Sequence, residues 1–257
     1  MTGAPANALQ RLWAADEAVV NGWLALPGSL GAEIMAHQGW DSLTVDLQHG
    51  LIDYQVMVSM LQAISTTATT PVVRVPWLEP GILGKCLDAG AEGVICPMIN
   101  TREEAQRLVA YTTYAPRGAR SFGPMRATIR GAVQDTETTN RGITRFAMIE
   151  TALALENLDD ILSVEGLDAI YIGPSDLSIA LGCAPAFDEL EPKVSQAIDH
   201  ILERTRAHGL VAGIHNATPK AALARAARGF RFVTAGADVG FMIAGGQGAV
   251  AQMRAGR

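Results

Sequence analysis

Short apolar runs recur along the chain and alternate with segments in which apolar residues are spaced as on one face of a helix. These runs are mostly continuous, which is typical of parallel strands that are buried on both faces. The eight runs begin at Val19, Ser42, Pro71, Glu92, Arg145, Asp168, Leu210 and Phe230. Eight strands that alternate with helices predict a (β/α)8 barrel, an α/β fold that we expect residues 1–257 to form as a single domain.

Several predicted helices have recognisable ends. Thr101 followed by Glu104 is a capping box, and Gly90 and Gly209 lie where C-terminal caps are expected. One long connection, residues 114–140, has no clear periodicity and contains "APRGARSFGPMR". A connection of this length in a compact domain is usually functional or disordered, so we expect one irregular loop in an otherwise regular barrel.

Composition excludes several classes of partner. The net charge is −6 and the pI is near 5.4, whereas a nucleic-acid or anionic-membrane surface needs clustered Lys and Arg. Cys86, Cys96 and Cys183 are odd in number and lie in apolar sequence, which predicts free core thiols in a reducing compartment. No apolar run approaches the length of a membrane span, and we expect a cytoplasmic protein.

Polar residues gather at the predicted strand ends, where the chemistry of a (β/α)8 barrel lies. Glu150 ends the fifth strand and Asp176 follows the sixth, so the two carboxylates come from neighbouring strands. Two carboxylates without Cys or His at ligand spacing favour a hard divalent cation, Mg²⁺ or Mn²⁺. The alternative is that each acid caps the helix that follows it.

Two basic side chains lie at the same predicted end. Arg74 stands inside the apolar strand "PVVRV", where a guanidinium must be paired, either in a structural ion pair or with a developing oxyanion. His49 follows Asp46, which is a candidate to orient its imidazole, so His49 is a candidate acid/base. A structural role is the alternative for His49, and the role of His215, at the end of the seventh strand, stays open.

Two further features concern substrate binding. The turn "GPSDLS" leads into a helix, so the backbone N–H groups of Ser175 and Asp176 are candidates to receive a substrate carboxylate. Trp23, in the first strand, is a candidate contact for the substrate or an ordinary core residue. The conformations of the loops around it decide between these alternatives.

The segments "DLQHG", "RVP", "MIET" and "GPSDLS", in this order and spacing, resemble the HpcH/HpaI aldolase family of metal-dependent class II pyruvate aldolases. This family includes 4-hydroxy-2-oxoheptanedioate and 2-dehydro-3-deoxyglucarate aldolases, and the likeness runs from "NGWLAL" to "FVTAGAD". It implies reversible cleavage of a 4-hydroxy-2-oxo acid to pyruvate or hydroxypyruvate and an aldehyde, in the breakdown of aromatic compounds or sugar acids.

The resemblance also implies roles for individual residues. Glu150 and Asp176 match the metal ligands, for Mg²⁺, Mn²⁺ or Co²⁺. Arg74 matches the arginine that stabilises the enolate, and His49, with Asp46 beside it, matches the catalytic base. On this basis the catalytic set also contains Asp88.

Asp88, in "KCLDAG", matches an acid that family members place at a neighbouring subunit's site. The resemblance therefore implies a homohexamer, a trimer of dimers, in which the last helix is exchanged between subunits. Ser175 and Asp176 match the backbone carboxylate clamp. The sequence departs from the family pattern at two positions that bear on the choice of donor substrate. The family often has Glu in place of Gln48 and Gln in place of Met148. We expect Gln48 to contact the substrate.

This function has three alternatives. A Schiff-base aldolase needs a lysine that faces the barrel, and the three lysines, Lys85, Lys193 and Lys220, all lie outside the predicted strands. A lyase of the citrate-lyase-β or malyl-CoA-lyase kind would need a site for a thioester carrier, which this short chain lacks. A barrel that binds 2-oxo acids without catalysis is the third alternative.

Overall fold

The computed structural model describes residues 7–129, 131 and 135–256, and these form a closed barrel of eight parallel strands. Each strand is hydrogen-bonded to its neighbours in sequence, and β1 also pairs with β8. The strands are β1 Val19–Leu24, β2 Ser42–Asp46, β3 Thr70–Arg74, β4 Gly93–Cys96, β5 Thr144–Ile149, β6 Ala169–Ile172, β7 Val211–Ile214 and β8 Phe232–Ala237. The predicted (β/α)8 barrel is confirmed.

Helices connect the strands and surround the barrel. They are α1 Ala8–Ala14, α2 Ser29–Ala36, α3 Tyr54–Ile64, α4 Pro80–Asp88, α5 Arg102–Thr112, α6 Met125–Ile129, α7 Thr136–Gly142, α8 Ala152–Glu156, α9 Leu158–Leu162, α10 Pro174–Ala180, α11 Pro192–Ala207, α12 Pro219–Arg228 and α13 Asp238–Ala255. None of those helices, in the part of the chain described, combines the length and apolar character that a membrane span requires.

The predicted helix ends are present. Thr101 and Glu104 form the capping box in both directions at the start of α5. Gly90 and Gly209 directly follow the C-terminal cap residues of α4 and α11, and their φ angles of 98° and 71° are in the region that favours glycine. Local signals in the sequence therefore determine these boundaries.

The long connection after α5 is more ordered than the sequence predicts. It contains the two short helices α6 and α7, although residues 130 and 132–134 lie outside the described part. Asp135 caps α7 by accepting the N–H of Thr138, and Arg126 in α6 donates to the carbonyl oxygens of Leu61 and Ala89. Polar contacts to distant segments, which have no periodicity in sequence, stabilise this connection.

The core has two layers. Most of it lies between the strands and the helices, and a smaller aromatic cluster fills the barrel interior, with Trp23, Phe146, Tyr171 and Phe232 among its members. Every residue of β2 to β7 is buried, as continuous apolar runs predict. Polar residues within those buried strands therefore need partners inside the barrel.

All three cysteines are free thiols, as predicted. Cys86 and Cys96 are buried in the core, where burial raises the pKa of both thiols and keeps them protonated. Cys183 differs from the prediction because it is only partly buried, at the edge of the core. It follows the end of α10, where the chain approaches the surface.

Candidate active site

The centre of the candidate site is an ion pair between the tips of β2 and β3. Asp46 and Arg74 are partners in the strand register, which brings their side chains together at the carboxyl end of the barrel. Arg74 donates from Nε to Asp46 Oδ1 at 2.8 Å and from one terminal nitrogen to Oδ2 at 2.6 Å. Both side chains are buried, so this is a desolvated two-point pair.

Asp46 is held by other donors as well. Its Oδ1 accepts the backbone N–H groups of Gln48 and His49 at 3.0 and 3.3 Å, and its Oδ2 accepts the indole N–H of Trp23 at 3.3 Å. Burial by itself raises the pKa of Asp46, but the hydrogen bonds and positive charge of Arg74 outweigh it. The pKa of Asp46 is therefore below its usual value, and the carboxylate is ionised at neutral pH.

The contact between Asp46 and His49 differs from the one considered in the sequence. Asp46 accepts the backbone N–H of His49 and does not contact its imidazole, which is exposed at the strand tip. The physical reason is that the carboxylate oxygens are already engaged by the Arg74 guanidinium. Asp46 thus positions the backbone beneath His49, and the exposed imidazole has no hydrogen bond to a described residue.

Two roles were predicted for Arg74, and the structure shows the structural ion pair. That pair does not use all of the guanidinium N–H groups. A guanidinium has five N–H donors, of which Asp46 engages two. The guanidinium carbon also lies 4.8 Å from the centroid of the Trp23 ring, and Trp23 is only 3% exposed. Arg74 is thereby held in one orientation, with further N–H groups available to a ligand.

Glu150 is a buried carboxylate at the end of β5. Its Oε1 accepts the backbone N–H of Met98 at 2.9 Å. Burial, together with the negative charge of Asp176, raises the pKa of Glu150 to about 7. A bound cation would stabilise the ionised form of this carboxylate, because its positive charge compensates both the burial and the repulsion from Asp176.

Gly173, at the end of β6, makes room for the Glu150 carboxylate. A methyl group in place of its hydrogen would lie 2.5 Å from Glu150 Oε2 and 2.6 Å from the terminal carbon of Met148. Only glycine allows this close approach between β5 and β6. The space around Glu150 Oε2 is therefore fixed by the backbone of the next strand.

Neither acid is the N-cap of the helix that follows it, although Asp176 lies in the first turn of α10. The N-cap of α8 is Thr151, whose side chain accepts the N–H of Ala154, and the N-cap of α10 is Gly173, which has no side chain. Glu150 and the exposed Asp176 are therefore available for another role. The described residues contain no cluster of three or more His, Cys, Asp or Glu with metal-site geometry, so a cation here would have these two acids and non-protein oxygens as ligands.

The remaining residues of the predicted site occupy distinct positions. Ser175 and Asp176 lie in the first turn of α10, where backbone N–H groups have no partner within the helix. The Gln48 side-chain oxygen is buried without a hydrogen-bond partner among the described residues. Asp88, the last residue of α4, pairs with Arg120 at 2.7 Å, away from the strand tips.

A group of polar residues beside the site was not predicted from the sequence. Tyr171 in β6 contacts His215 Nδ1 at 3.0 Å and Thr234 Oγ1 at 2.6 Å, and Thr234 in turn accepts from Asn21 at 2.9 Å. The available signal was a polar residue, Asn21, in an otherwise apolar strand, since such a residue requires a buried partner. His215, whose role was left open, packs edge-on against Trp23 with ring centroids 4.8 Å apart.

Comparison with known proteins identifies the family. The family model described as "HpcH/HpaI aldolase/citrate lyase" matches residues 22–244. The chain belongs to the HpcH/HpaI aldolase/citrate lyase family. The predicted family, and with it the predicted enzyme class of carbon–carbon lyase, is confirmed.

Members of the HpcH/HpaI family resemble this chain over nearly its whole length. It is 41% identical to a hydroxypyruvate/pyruvate aldolase of Rhizorhabdus wittichii, over 97% of this chain and 99% of that protein. It is 37% identical to a 5-keto-4-deoxy-D-glucarate aldolase of Salmonella arizonae, over 91% of each chain. The crystal structure of an HpcH/HpaI aldolase/citrate lyase family protein from Burkholderia cenocepacia superposes with a TM-score of 0.88 at 30% identity, covering 96% of this chain and 98% of that one.

One departure from the HpcH/HpaI pattern is visible in the site itself. Met148, where the resemblance to the family implies Gln, is buried and its terminal carbon lies close to Gly173. The side of the site beside Glu150 is therefore apolar. The polar groups at this mouth lie on other strand tips, such as Arg74, which keeps N–H groups not engaged by Asp46.

Proposed function

We propose that this protein is a metal-dependent class II aldolase that reversibly cleaves 4-hydroxy-2-oxo acids to pyruvate or hydroxypyruvate and an aldehyde. The observation that carries the proposal is the buried Glu150 beside Asp176, with the anchored Arg74 at the same mouth of the barrel. The activities named for the two aldolases that are similar to this chain support it.

Glu150 and Asp176 are the residues that would hold the metal ion. The two carboxylates form a hard oxygen donor set, which favours Mg²⁺ or Mn²⁺, with Co²⁺ as a further candidate. The ion would supply Lewis-acid chemistry, drawing electron density from the 2-oxo group of the substrate. The burial of Glu150 and the space provided by Gly173 fit this role, because this buried acid near a second acid forms no ion pair with a described residue.

Arg74 would stabilise the negative charge that develops on the 2-oxo oxygen. Its two-point pair with Asp46 and its position over Trp23 hold the guanidinium before substrate binds, and the N–H groups not engaged by Asp46 point at no other protein acceptor among the described residues. A donor that is already oriented needs no reorganisation during the reaction. Asp46 therefore acts by positioning Arg74.

His49 would move the proton. Its backbone is fixed by Asp46 while its imidazole is exposed at the mouth, so the ring can reach a substrate or a bridging water. The imidazole is too weak a base to deprotonate a ketoacid methyl group unaided. The stabilisation of the developing charge by Arg74 is what makes this proton transfer accessible.

The substrate carboxylate would bind at the start of α10. The backbone N–H groups of Ser175 and Asp176 lie in the first helical turn, which has no side-chain cap. Gln48 and Trp23 would contact the rest of the substrate from the β2 and β1 side. The buried, unpartnered oxygen of Gln48 is an acceptor for a substrate hydroxyl.

We further propose a homo-oligomer, a hexamer built as a trimer of dimers, in which α13 packs on a neighbouring subunit. α13 is 18 residues long and has no buried residue, although Met242 and Met253 on it are apolar and 69% and 71% exposed. Asp88 ends α4 and pairs with Arg120, and its role at a neighbour's site is the one that the resemblance to the family implies.

Metal removal tests the proposed function. After dialysis against a chelator, release of pyruvate from a 4-hydroxy-2-oxo acid should fall by about 100-fold or more, and Mn²⁺ should restore it. Glu150→Gln should lower turnover similarly and weaken Mn²⁺ binding in calorimetry, while His49→Ala should lower turnover and leave Mn²⁺ binding intact.

Three results would contradict the proposal. Full turnover without metal would exclude the class II route. Cleavage of a thioester substrate alone would favour the citrate-lyase-like alternative. If the wild-type protein bound 2-oxo acids but showed no turnover, the protein would be a barrel that binds without catalysis, and His49→Ala would have no activity to lower.

A further inference from the structure

A chain of buried hydrogen bonds crosses the barrel and ends on His215. It begins at Asn21 in β1, passes through Thr234 in β8 and Tyr171 in β6, and reaches His215 at the carboxyl end of β7. Asn21, Thr234 and Tyr171 are fully buried, so water does not satisfy their polar groups. The directions of these hydrogen bonds are therefore determined by the protein.

The direction is set at Asn21. The hydroxyls of Ser42 and Thr44 both approach Asn21 Oδ1, at 2.8 and 3.0 Å, and each hydroxyl needs an acceptor for its proton. The oxygen of the Asn21 amide therefore faces these two residues, and the amide nitrogen donates to Thr234 Oγ1. In the described part of the chain the Thr234 hydroxyl has one remaining contact, Tyr171, to which it donates its proton.

Tyr171 then has its own proton left for His215. Because its oxygen accepts from Thr234, the phenol O–H donates to His215 Nδ1, 3.0 Å away. Burial, with the positive charge of Arg74, lowers the pKa of His215 to about 4, so the imidazole is neutral at pH 7. A neutral imidazole that accepts at Nδ1 carries its proton at Nε2.

The ring of His215 is held in one orientation at the mouth. It packs edge-on against Trp23, and Phe187 lies against it with ring centroids 5.2 Å apart. No described residue hydrogen-bonds to Nε2, and the residue keeps partial solvent exposure. His215 therefore presents a fixed N–H donor beside the proposed substrate site.

The position of His215 corresponds to one part of the substrate. In the proposed function the substrate carboxylate binds at the start of α10, which follows β6, and the 2-oxo oxygen faces Arg74 on β3 and the acids that follow β5 and β6. The 2-oxo carbon is trigonal, so its third substituent, C3, points to the remaining arc of the barrel, formed by β7, β8 and β1. On this arc, His215 follows β7 at its carboxyl end, and its ring packs against that of Trp23 in β1.

We propose that His215 is a specificity-determining residue that donates its Nε2–H to a hydroxyl on C3 of the donor substrate, so that the site favours hydroxypyruvate-type donors over pyruvate. This inference rests on the proposed aldolase function. A pocket that presents a fixed hydrogen-bond donor favours a substrate with a matching acceptor, because the analogue that lacks the acceptor leaves the donor unpaired.

The first test compares the two donors with the same aldehyde. We expect His215→Phe to lower the ratio of kcat/KM for hydroxypyruvate to that for pyruvate by about five- to tenfold. His215→Asn, which keeps an N–H donor, should restore part of the ratio, and Tyr171→Phe should lower it because Nδ1 loses its donor. His200→Phe, on the exposed face of α11, is the matched control and should leave the ratio unchanged.

The second test does not depend on turnover. In wild-type protein with ¹⁵N-labelled histidine, assigned with the His215→Asn variant, the nitrogen chemical shifts at pH 7 should show Nε2 protonated and Nδ1 unprotonated. A protonated Nδ1 would overturn the inference, even if His215→Phe does not fold.

Deuterium exchange at C3 of each donor, without aldehyde, distinguishes a failure of the proposed aldolase function from a failure of the proposed role of His215. No exchange and no cleavage in wild type would mean that the proposed function fails. If both donors exchanged and the ratio of kcat/KM for hydroxypyruvate to that for pyruvate were unchanged in His215→Phe, only the proposed role of His215 would fail.

Discussion

The Asp46 carboxylate and the Arg74 guanidinium form two hydrogen bonds, of 2.8 and 2.6 Å, between the tips of neighbouring strands. The same carboxylate accepts two backbone N–H groups from the turn that carries His49. One buried acid thus fixes both an arginine and the backbone under a histidine. The ion pair is a positioning device as well as a structural contact.

Asp46→Asn should destabilise the protein and impair the reaction. The substitution leaves the buried Arg74 charge without its partner, which costs about 3 kcal/mol in comparable pairs, and a misplaced guanidinium should lower kcat by about 100-fold. Urea unfolding and steady-state kinetics measure the two effects. Glu137→Gln, which breaks the exposed pair with Arg117, is the control and should change stability by less than about 1 kcal/mol. Equal losses in both variants would contradict the importance of burial.

Gly173→Ala should weaken metal binding without disrupting the fold. The added methyl group would lie 2.5 Å from Glu150 Oε2, so the carboxylate must move. We expect the dissociation constant for Mn²⁺ to rise by about tenfold, as for second-layer changes at other metal sites. Calorimetric titration measures it. Gly84→Ala is the matched control, since a methyl group there meets no atom within 4 Å, and it should leave Mn²⁺ affinity unchanged. Unaltered affinity in Gly173→Ala would exclude Glu150 as a ligand.

The stability of the protein should depend on His215 in acid. Burial lowers the pKa of His215 from 6.5 to about 4, so between these values the unfolded chain binds a proton that the folded protein does not. The contribution of His215 is present above pH 6.5 and is lost as the pH falls through this window, by about 3 kcal/mol in total. Chemical unfolding of wild type and His215→Phe from pH 7.5 to 4 measures the difference. A difference that is constant with pH would show that the imidazole is solvated.

Charges on α13 should disrupt the proposed oligomer. Met242 and Met253 are highly exposed in one chain, and we expect a neighbouring subunit to cover them. Light scattering coupled to size-exclusion chromatography should give an oligomer for wild type and a smaller species for a Met242→Asp and Met253→Asp double variant. Leu223→Asp on α12, an apolar residue of similar exposure, is the control. A monomeric wild type would contradict the proposed assembly and the role of Asp88 in a neighbour's site.

The sequence by itself determined the barrel and the end of it that carries the polar residues. The eight strands begin within two residues of the predicted apolar runs, because a strand that is buried on both faces must be apolar throughout. The capping box at Thr101 and the glycines after α4 and α11 follow from local geometry. The family motifs placed Asp46, Arg74 and Glu150 on strands whose carboxyl ends meet.

Tertiary structure alone decided which of these groups contact one another. Asp46 has both His49 and Arg74 within reach in principle, and the strand register gives its carboxylate to Arg74. The space for Glu150 comes from Gly173, 23 residues later in the chain. The hydrogen-bond chain to His215 joins strands β1, β6, β7 and β8, which are far apart in sequence. Contacts of this kind depend on how distant strands are aligned, and no local pattern of residues records that alignment.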